Sequence, residues 1–286
     1  MQCPHAFIYA CLVRMNKIVI FGANGMLGQY IYKYFANHTT LTTIGITRDS
    51  FDVMIDNLDK LVEIFKMHNI DHKAIVFNAI GIIPQVKPTS NHVYYQVNTV
   101  FPMILSHVCD SFKCRLVHPS TDCVFSGSQG MYTEDSIHDA TSHYGISKSL
   151  GENIRGTIIR VSVIGETSRK ISLIEWIKNN RNGRVDGYIN HIWNGITCLE
   201  YAKVLQQIIL KNLFWEGVRH IKSPNAISKA DLVKLINEAY ELHICIDDTI
   251  APSTRDMTLS SNYNIDLQIN DLETQIHELV SFAKEL

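Results

Sequence analysis

Tyr144 and Lys148, in the run Tyr144-Gly145-Ile146-Ser147-Lys148, stand four residues apart. On a helix that spacing puts them on one side, a single turn from each other. A fixed ammonium beside a phenol stabilises the phenolate and draws a pKa ordinarily near ~10 toward neutrality. A phenol so placed can give a proton to a carbonyl oxygen while a nicotinamide delivers hydride to the carbon. Exposed helix pairs of this kind also arise by chance. Order gives this one weight, because it follows a glycine-rich turn, Gly22-Ala23-Asn24-Gly25-Met26-Leu27-Gly28, and then the segment Ser120-Thr121-Asp122.

Gly22, Gly25 and Gly28 lie where an apolar β-branched run gives way to a helical pattern. Glycines there permit a tight turn and the close approach of a pyrophosphate to a helix N-terminus, with Asn24, Met26 and Leu27 sharing the contact. Arg48 follows the second apolar run, in Gly45-Ile46-Thr47-Arg48. A cation at that place favours a 2′-phosphate, whereas an acidic residue would hold the free ribose hydroxyls. The expected cofactor is therefore NADP(H), with NAD(H) as the alternative. Asn78, Ala79 and Gly81 end the next strand and are expected to line the cofactor cleft from their backbone. Asn98 reads as a core polar residue with its hydrogen bonds satisfied.

The elements that must position these groups alternate. Apolar runs at residues 17–21, 41–46, 74–78, 115–118 and 157–161 read as strands. Helical periodicity covers residues 26–35, 58–67 and 92–112, and a further helix carries Tyr144 and Lys148. This predicts an α/β chain with a Rossmann-type, doubly wound parallel sheet, whose ligands bind at the carboxyl ends of the strands. After about residue 164 the rhythm changes. Helices are expected at 172–179, from a capping box Thr197-x-x-Glu200 through 210, at 228–242 and at 271–284, with extended segments at 184–189 and 243–246. The expected organisation is a leader at 1–14 with Met15 as an alternative start, an NADP-binding Rossmann domain at 15–165, and a smaller, interleaved α/β substrate domain at 166–286.

Composition narrows the partners. Of 286 residues 46% are apolar and 19% charged, enough for a well-filled core, and the formal charge of −2 gives no electrostatic reason for a nucleic-acid partner. No apolar run approaches the ~20 residues that span a bilayer, so no membrane partner is expected. The seven cysteines are odd in number and scattered, with no C-x-x-C pair. That pattern suits free thiols in a reducing compartment, taken as the cytoplasm, and no metal site is expected.

The four motifs Gly-x-x-Gly-x-x-Gly, Asn-Ala-x-Gly, Ser-Thr-Asp-x-Val-Phe and Tyr-Gly-x-Ser-Lys, in this order, resemble the extended short-chain dehydrogenase/reductases. Ser120-Thr121-Asp122-Cys123-Val124-Phe125-Ser126-Gly127 is particularly similar to dTDP-4-dehydrorhamnose reductase and related nucleotide-sugar 4-reductases. The resemblance implies NADPH-dependent reduction of the C4 ketone of a nucleotide-linked 4-keto-6-deoxyhexose, in rhamnose-like deoxy-sugar biosynthesis, and commonly a homodimer. It implies that Thr121 orients the ketone, that Tyr144 is the acid and Lys148 the ribose-binding cation, and that Asp122 belongs to the substrate site. The rhamnose reductases usually carry tyrosine where this chain has Cys123, which leaves the sugar open. A cysteine two residues after the hydroxyl residue is a feature of GDP-fucose synthase, a bifunctional 3-epimerase/4-reductase. By that resemblance Cys123 and His191 would exchange the acidic hydrogen beside the ketone, on a UDP-linked and even a 2-acetamido sugar. Trp193 is a candidate for stacking on a base or sugar, or for packing between lobes. Arg255 is a candidate for the substrate pyrophosphate, or a solvated loop residue. The beta subunit of methionine adenosyltransferase also resembles this family, which keeps a non-catalytic, cofactor-binding role open.

Overall fold

The computed structural model describes residues 14–86 and 90–284, so the expected leader falls, but for Arg14, outside the described residues. The chain begins β1 (Lys17–Phe21), α1 (Met26–His38), β2 (Thr42–Ile46), α2 (Leu58–Met67) and β3 (Ala74–Asn78). It continues with α3 (His92–Tyr95), α4 (Phe101–Phe112), β4 (Arg115–Thr121), α5 (His143–Leu150) and β5 (Thr157–Val161). These strands, with the later β10 (Gly217–His220), form one six-stranded sheet in the order β10-β5-β4-β3-β1-β2, every neighbouring pair parallel. The expected doubly wound sheet is present.

Both faces of the sheet are covered, which is why its strands read as unbroken apolar runs. Ile18, Ile20, Ile75 and Phe77 point into a core shared with α1 and with later helices. Val19, Phe21, Ala74 and Val76 point the other way, into a core built with α2 and α4. The period-2 alternation of side chains divides each strand between the two.

The second half consists of β6 (Val163–Ile164), α6 (Leu173–Asn179), β7 (Arg184–Tyr188), β8 (His191–Trp193), β9 (Ile196–Thr197), α7 (Cys198–Leu210) and β10 (Gly217–His220). It ends with β11 (Ile227–Ser228), α8 (Lys229–Ala239), β12 (Cys245–Thr249), β13 (Arg255–Asp256) and α9 (Leu272–Ala283). Small sheets β11-β8-β13, β12-β7 and β6-β9 accompany these helices, and their apolar residues join the same core as the main sheet. The predicted capping box at Thr197 is half formed: the Thr197 hydroxyl accepts from Glu200 N at 3.1 Å, whereas Glu200 Oε1 accepts from Asn270 N at 2.9 Å. No helix among the described residues is long and apolar enough to cross a membrane.

Several bounds differ from expectation. The helix expected to 35 runs to His38, the one expected over 228–242 ends at Ala239, and the extended segment expected at 243–246 lies at Cys245–Thr249. Three further differences concern the main sheet and its flank. The strand predicted at 115–118 runs on to Thr121, through a proline. Gly217–His220, with one large apolar residue, was not read as a strand, yet it pairs with β5 at the edge of the main sheet. The single helix expected over 92–112 opens into a wider, five-residue π turn at Gln96–Val100. Pro102 follows that turn; it has no N–H to give to the carbonyl of residue 98, so the ladder is loosened there.

Candidate active site

β1, β3 and β4 end side by side, and each delivers one motif to the same rim of the sheet. After β1, Gly22 takes φ +81°, and a Cβ there would lie 2.9 Å from the Ala79 and Ile80 backbone. The turn is therefore pressed against the end of β3. Its N–H groups are fixed from the other side, Gly22 N and Ala23 N donating to Ile46 O at the end of β2, at 2.8 and 3.2 Å. Gly28 sits against Gly22 O, where a Cβ would come within 2.1 Å. The helix that follows lacks what most others here have. Its N-cap, Gly25, offers no side-chain acceptor, and no acidic residue lies in its first turn. Asn57, Ser142, Ser172, Thr197, Ser228 and Asp271 each cap α2, α5, α6, α7, α8 and α9 with a side chain. The uncapped N–H groups of α1, beside a glycine turn, fit an anionic pyrophosphate.

Around that turn Asn24 is exposed and Met26 partly buried, while Leu27 packs into the core. Arg48, just beyond β2, is 71% exposed and pairs loosely with Asp52 at 3.5 Å. Asn78 is buried and turns back on its own strand end: its Oδ1 accepts from Ile80 N at 3.1 Å, and its Nδ2 lies 3.1 Å from His118 Nδ1. Gly81 is exposed beside Asn98. Asn98 has the satisfied hydrogen bonds its reading required, with Ile82 N and O at 3.0 Å and Ser147 Oγ at 3.1 Å.

At the end of β4 the Thr121 hydroxyl donates to Asp122 Oδ1 at 3.0 Å and accepts from Cys123 N at 3.2 Å. Helix α5 lies on this turn because Gly145 has no side chain; a Cβ there would meet the Cys123 carbonyl oxygen at 2.4 Å and Ala140 Cβ at 2.6 Å. Tyr144 is thereby brought to Thr121, and its ring meets Tyr94 edge-on at 6.3 Å. Lys148 is buried one turn along and donates to Pro119 O at 2.9 Å.

The electrostatics differ from the sequence expectation. Burial, reinforced by Cys123, pushes the Tyr144 phenol above its ordinary range, while hydrogen bonding with Thr121 opposes. Lys148 does not draw the phenol down; burial pulls its own ammonium down to about 8, against the Glu152 carboxylate, which holds it up. One of the three Lys148 ammonium N–H groups is committed to a backbone carbonyl, that of Pro119. Asp122 is likewise raised by burial. Burial pushes the Cys123 thiol up to about 12, with the Asp122 carboxylate adding to it.

The substrate-side candidates lie on the small three-stranded sheet. Arg255 pairs in register with His191, is exposed, and is close enough to Cys123 for its charge to act there. The His191 ring bonds through Nε2 to Ser253 O at 2.9 Å and leans on Tyr188. It is not hydrogen-bonded to Cys123. Trp193 is partly buried and packs on Gly195 and against the main core.

Sequence reasoning passed over His118. It is buried and bonded to Asn78, its Nε2 has no partner, and burial with nearby Lys148 keeps its pKa well below the ordinary value. A histidine inside an apolar strand was the available signal. Glu152 and Arg160, buried behind Lys148, carried no such mark.

Residues 15–183 match the family described as RmlD substrate binding domain. Among characterised proteins, the chain is 29% identical over 175 residues to the probable low-salt glycan biosynthesis reductase Agl14 of Haloferax volcanii, a stretch covering 54% of this chain and 57% of that one. It is 27% identical over 246 residues to methionine adenosyltransferase 2 subunit beta of Mus musculus, covering 79% and 73%. Among solved structures, dTDP-4-dehydrorhamnose reductase of Bacillus anthracis in complex with NADP superposes with a TM-score of 0.78 at 16% identity, covering 95% of this chain and all of that one.

Proposed function

This chain belongs to the RmlD substrate binding domain family, and from that premise we propose that it reduces the C4 ketone of a nucleotide-linked 4-keto-6-deoxyhexose with NADPH. The observation that carries the reading is the meeting of Tyr144 and Thr121 over the buried Lys148, on the rim that also bears the glycine turn. A bound nicotinamide supplies the hydride. Gly22, Asn24, Gly25, Met26 and Leu27, with Asn78, Ala79 and Gly81, would hold the cofactor, and exposed Arg48 favours NADP(H) over NAD(H). Thr121 orients the ketone oxygen, and Tyr144, protonated at neutral pH, gives it the proton that completes the alcohol. Lys148, one helical turn along, is the cation for the cofactor ribose in this reading. Asp122, Trp193 and Arg255 belong to the substrate side of this reading.

The epimerising alternative asks for a thiolate at Cys123 and a free imidazole at His191. A thiol near 12 and a ring tied to Ser253 favour reduction without it. A second reading is supported by the likeness to methionine adenosyltransferase 2 subunit beta over 79% of the chain: a cofactor-binding subunit without turnover. A cytoplasmic setting, from the cysteine pattern, and a homodimer, from the resemblance, complete the proposal.

The deciding experiment incubates the protein with NADPH and UDP-, dTDP- and GDP-linked 4-keto-6-deoxy sugars while following NADPH oxidation. Turnover of at least one sugar is expected. No turnover of any, with co-purification of a methionine adenosyltransferase, would replace the enzyme by the subunit.

A further inference from the structure

Behind the reacting face lies a buried ionic hub. Arg160, on β5, is 1% exposed. Its guanidinium grips the Glu152 carboxylate at two points, Nε to Oε1 at 2.9 Å and Nη2 to Oε2 at 2.6 Å. It also reaches His220 Nε2 at 2.8 Å and His138 Nε2 at 2.7 Å. A guanidinium only donates, so both imidazoles must present a bare Nε2 and keep their proton on Nδ1. Their other contacts agree: His220 Nδ1 faces Ser260 O and His138 Nδ1 faces Ser149 Oγ, each at 2.6 Å. Both rings are neutral, and the hub holds one cation and one anion.

A buried ion pair is weak evidence of a stabilising role, since apolar residues of similar size often serve as well. What distinguishes this pair is where its carboxylate stands. Glu152 lies four residues beyond Lys148, just past the end of α5, and it is the charge that holds the Lys148 ammonium up against burial. It also accepts a hydrogen bond from Ser120 Oγ, the residue before Thr121. We propose that Glu152 is a positioning residue for the reduction: fixed by Arg160, it tethers the end of β4 that bears Thr121 and stands as counter-charge behind Lys148. This rests on the reductase reading of the same site.

The charged and titratable groups around the pair are few. Lys148 faces Glu152 from α5 and His118 from β4. Glu152 faces Arg160 of β5, His138 of the preceding loop and, through Arg160, His220 of β10. Removing the carboxylate charge takes away the interaction that raises Lys148, so its ammonium must lose its proton at lower pH.

The test is Glu152→Gln, which keeps the size and the acceptor to Ser120 but not the charge. Protein carrying 13Cε-lysine is titrated by NMR, the Lys148 resonance being identified by its loss in Lys148→Arg. Its midpoint is expected to fall by at least about half a pH unit, and the alkaline limb of kcat to move with it. An unmoved midpoint overturns the proposal. Because the NMR titration needs no turnover, a shifted midpoint in a protein that reduces none of the sugars would condemn the reductase reading and leave the counter-charge standing. Should the lone substitution fail to fold, since it leaves Arg160 unpaired, Glu152→Gln/Arg160→Gln carries the same titration. Ser120→Ala cuts only the tether. It should lower kcat several-fold with the Lys148 midpoint in place, and a parental kcat would remove the tether from the proposal.

Discussion

Tyr144 can donate a proton only while it holds one, and its surroundings see to that. Burial keeps the phenol protonated well beyond neutral pH. Tyr144→Phe keeps the ring and its edge-on contact with Tyr94 but removes the proton. General acids typically contribute ~10²–10⁴-fold, so kcat for the 4-keto sugar should fall by that much while the KM for NADPH stays within a few-fold. Turnover close to the parent would give the acid's role to another group. The identity of these residues was legible in the sequence because Tyr144 and Lys148 stand at helical spacing and Thr121 sits in a motif that resembles the nucleotide-sugar reductases. Their environment was not. Spacing promised a lysine that lowers a phenol, whereas the Pro119 carbonyl holding Lys148 comes from a strand 29 positions away in the chain. Glu152 with Arg160, and Asn78 with His118, are likewise partnerships made only by folding.

At the scale of elements, the site depends on how closely α5 can lie on the turn after β4. Gly145→Ala would set a methyl 2.4 Å from the Cys123 carbonyl oxygen, and backbone cannot yield there. Overpacking of this sort costs ~1–3 kcal/mol. The melting temperature should drop and kcat with it, and kcat should suffer more than NADPH affinity, because α1 and the glycine turn are not touched while α5 carries Tyr144. A parental melting temperature and kcat together would mean that α5 has room to spare. The elements themselves were read well where both faces are buried. The strands Lys17–Phe21, Ala74–Asn78 and Thr157–Val161 and the helix Leu58–Met67 have the bounds the sequence suggested. Unbroken apolar runs and a clean helical stripe leave little choice. Reading failed where polar residues serve the sheet: Pro119, Ser120 and Thr121 extend β4, and Gly217–His220 takes the edge. It failed again at Gln96–Val100, where the wider turn forms ahead of Pro102.

The whole molecule joins its halves through titratable groups, and this sets its response to acid. His220 ends β10 and reaches the Ser260 carbonyl, while its own N–H donates to Glu134 Oε1 at 2.8 Å. His138 and His118 are held in the first half. All three have pKa values below the ordinary 6.5, by burial first, with positive neighbours adding: Arg160 for His138 and His220, Lys148 for His118. The folded protein thus binds these protons less readily than the unfolded chain. Their contribution to stability is complete above about pH 6.5 and is lost as pH falls below it, by up to about 1.4 kcal/mol per pH unit for each proton taken up. Lys148 acts on the other side of neutrality. Its value of about 8 lies under the ordinary 10.5, so the cost of its buried charge is present below about 8 and relieved as pH rises toward 10.5. The melting temperature should therefore decline steeply between about pH 6.5 and about pH 5, before the carboxylates titrate. His138→Gln keeps an acceptor for Arg160 and removes one proton site, so its decline should be shallower, even if its melting temperature at pH 8 is lower than the parent's. A parent whose stability is flat across that acid range, or a His138→Gln protein that declines as steeply, would show that these rings take up protons without disturbing the hub.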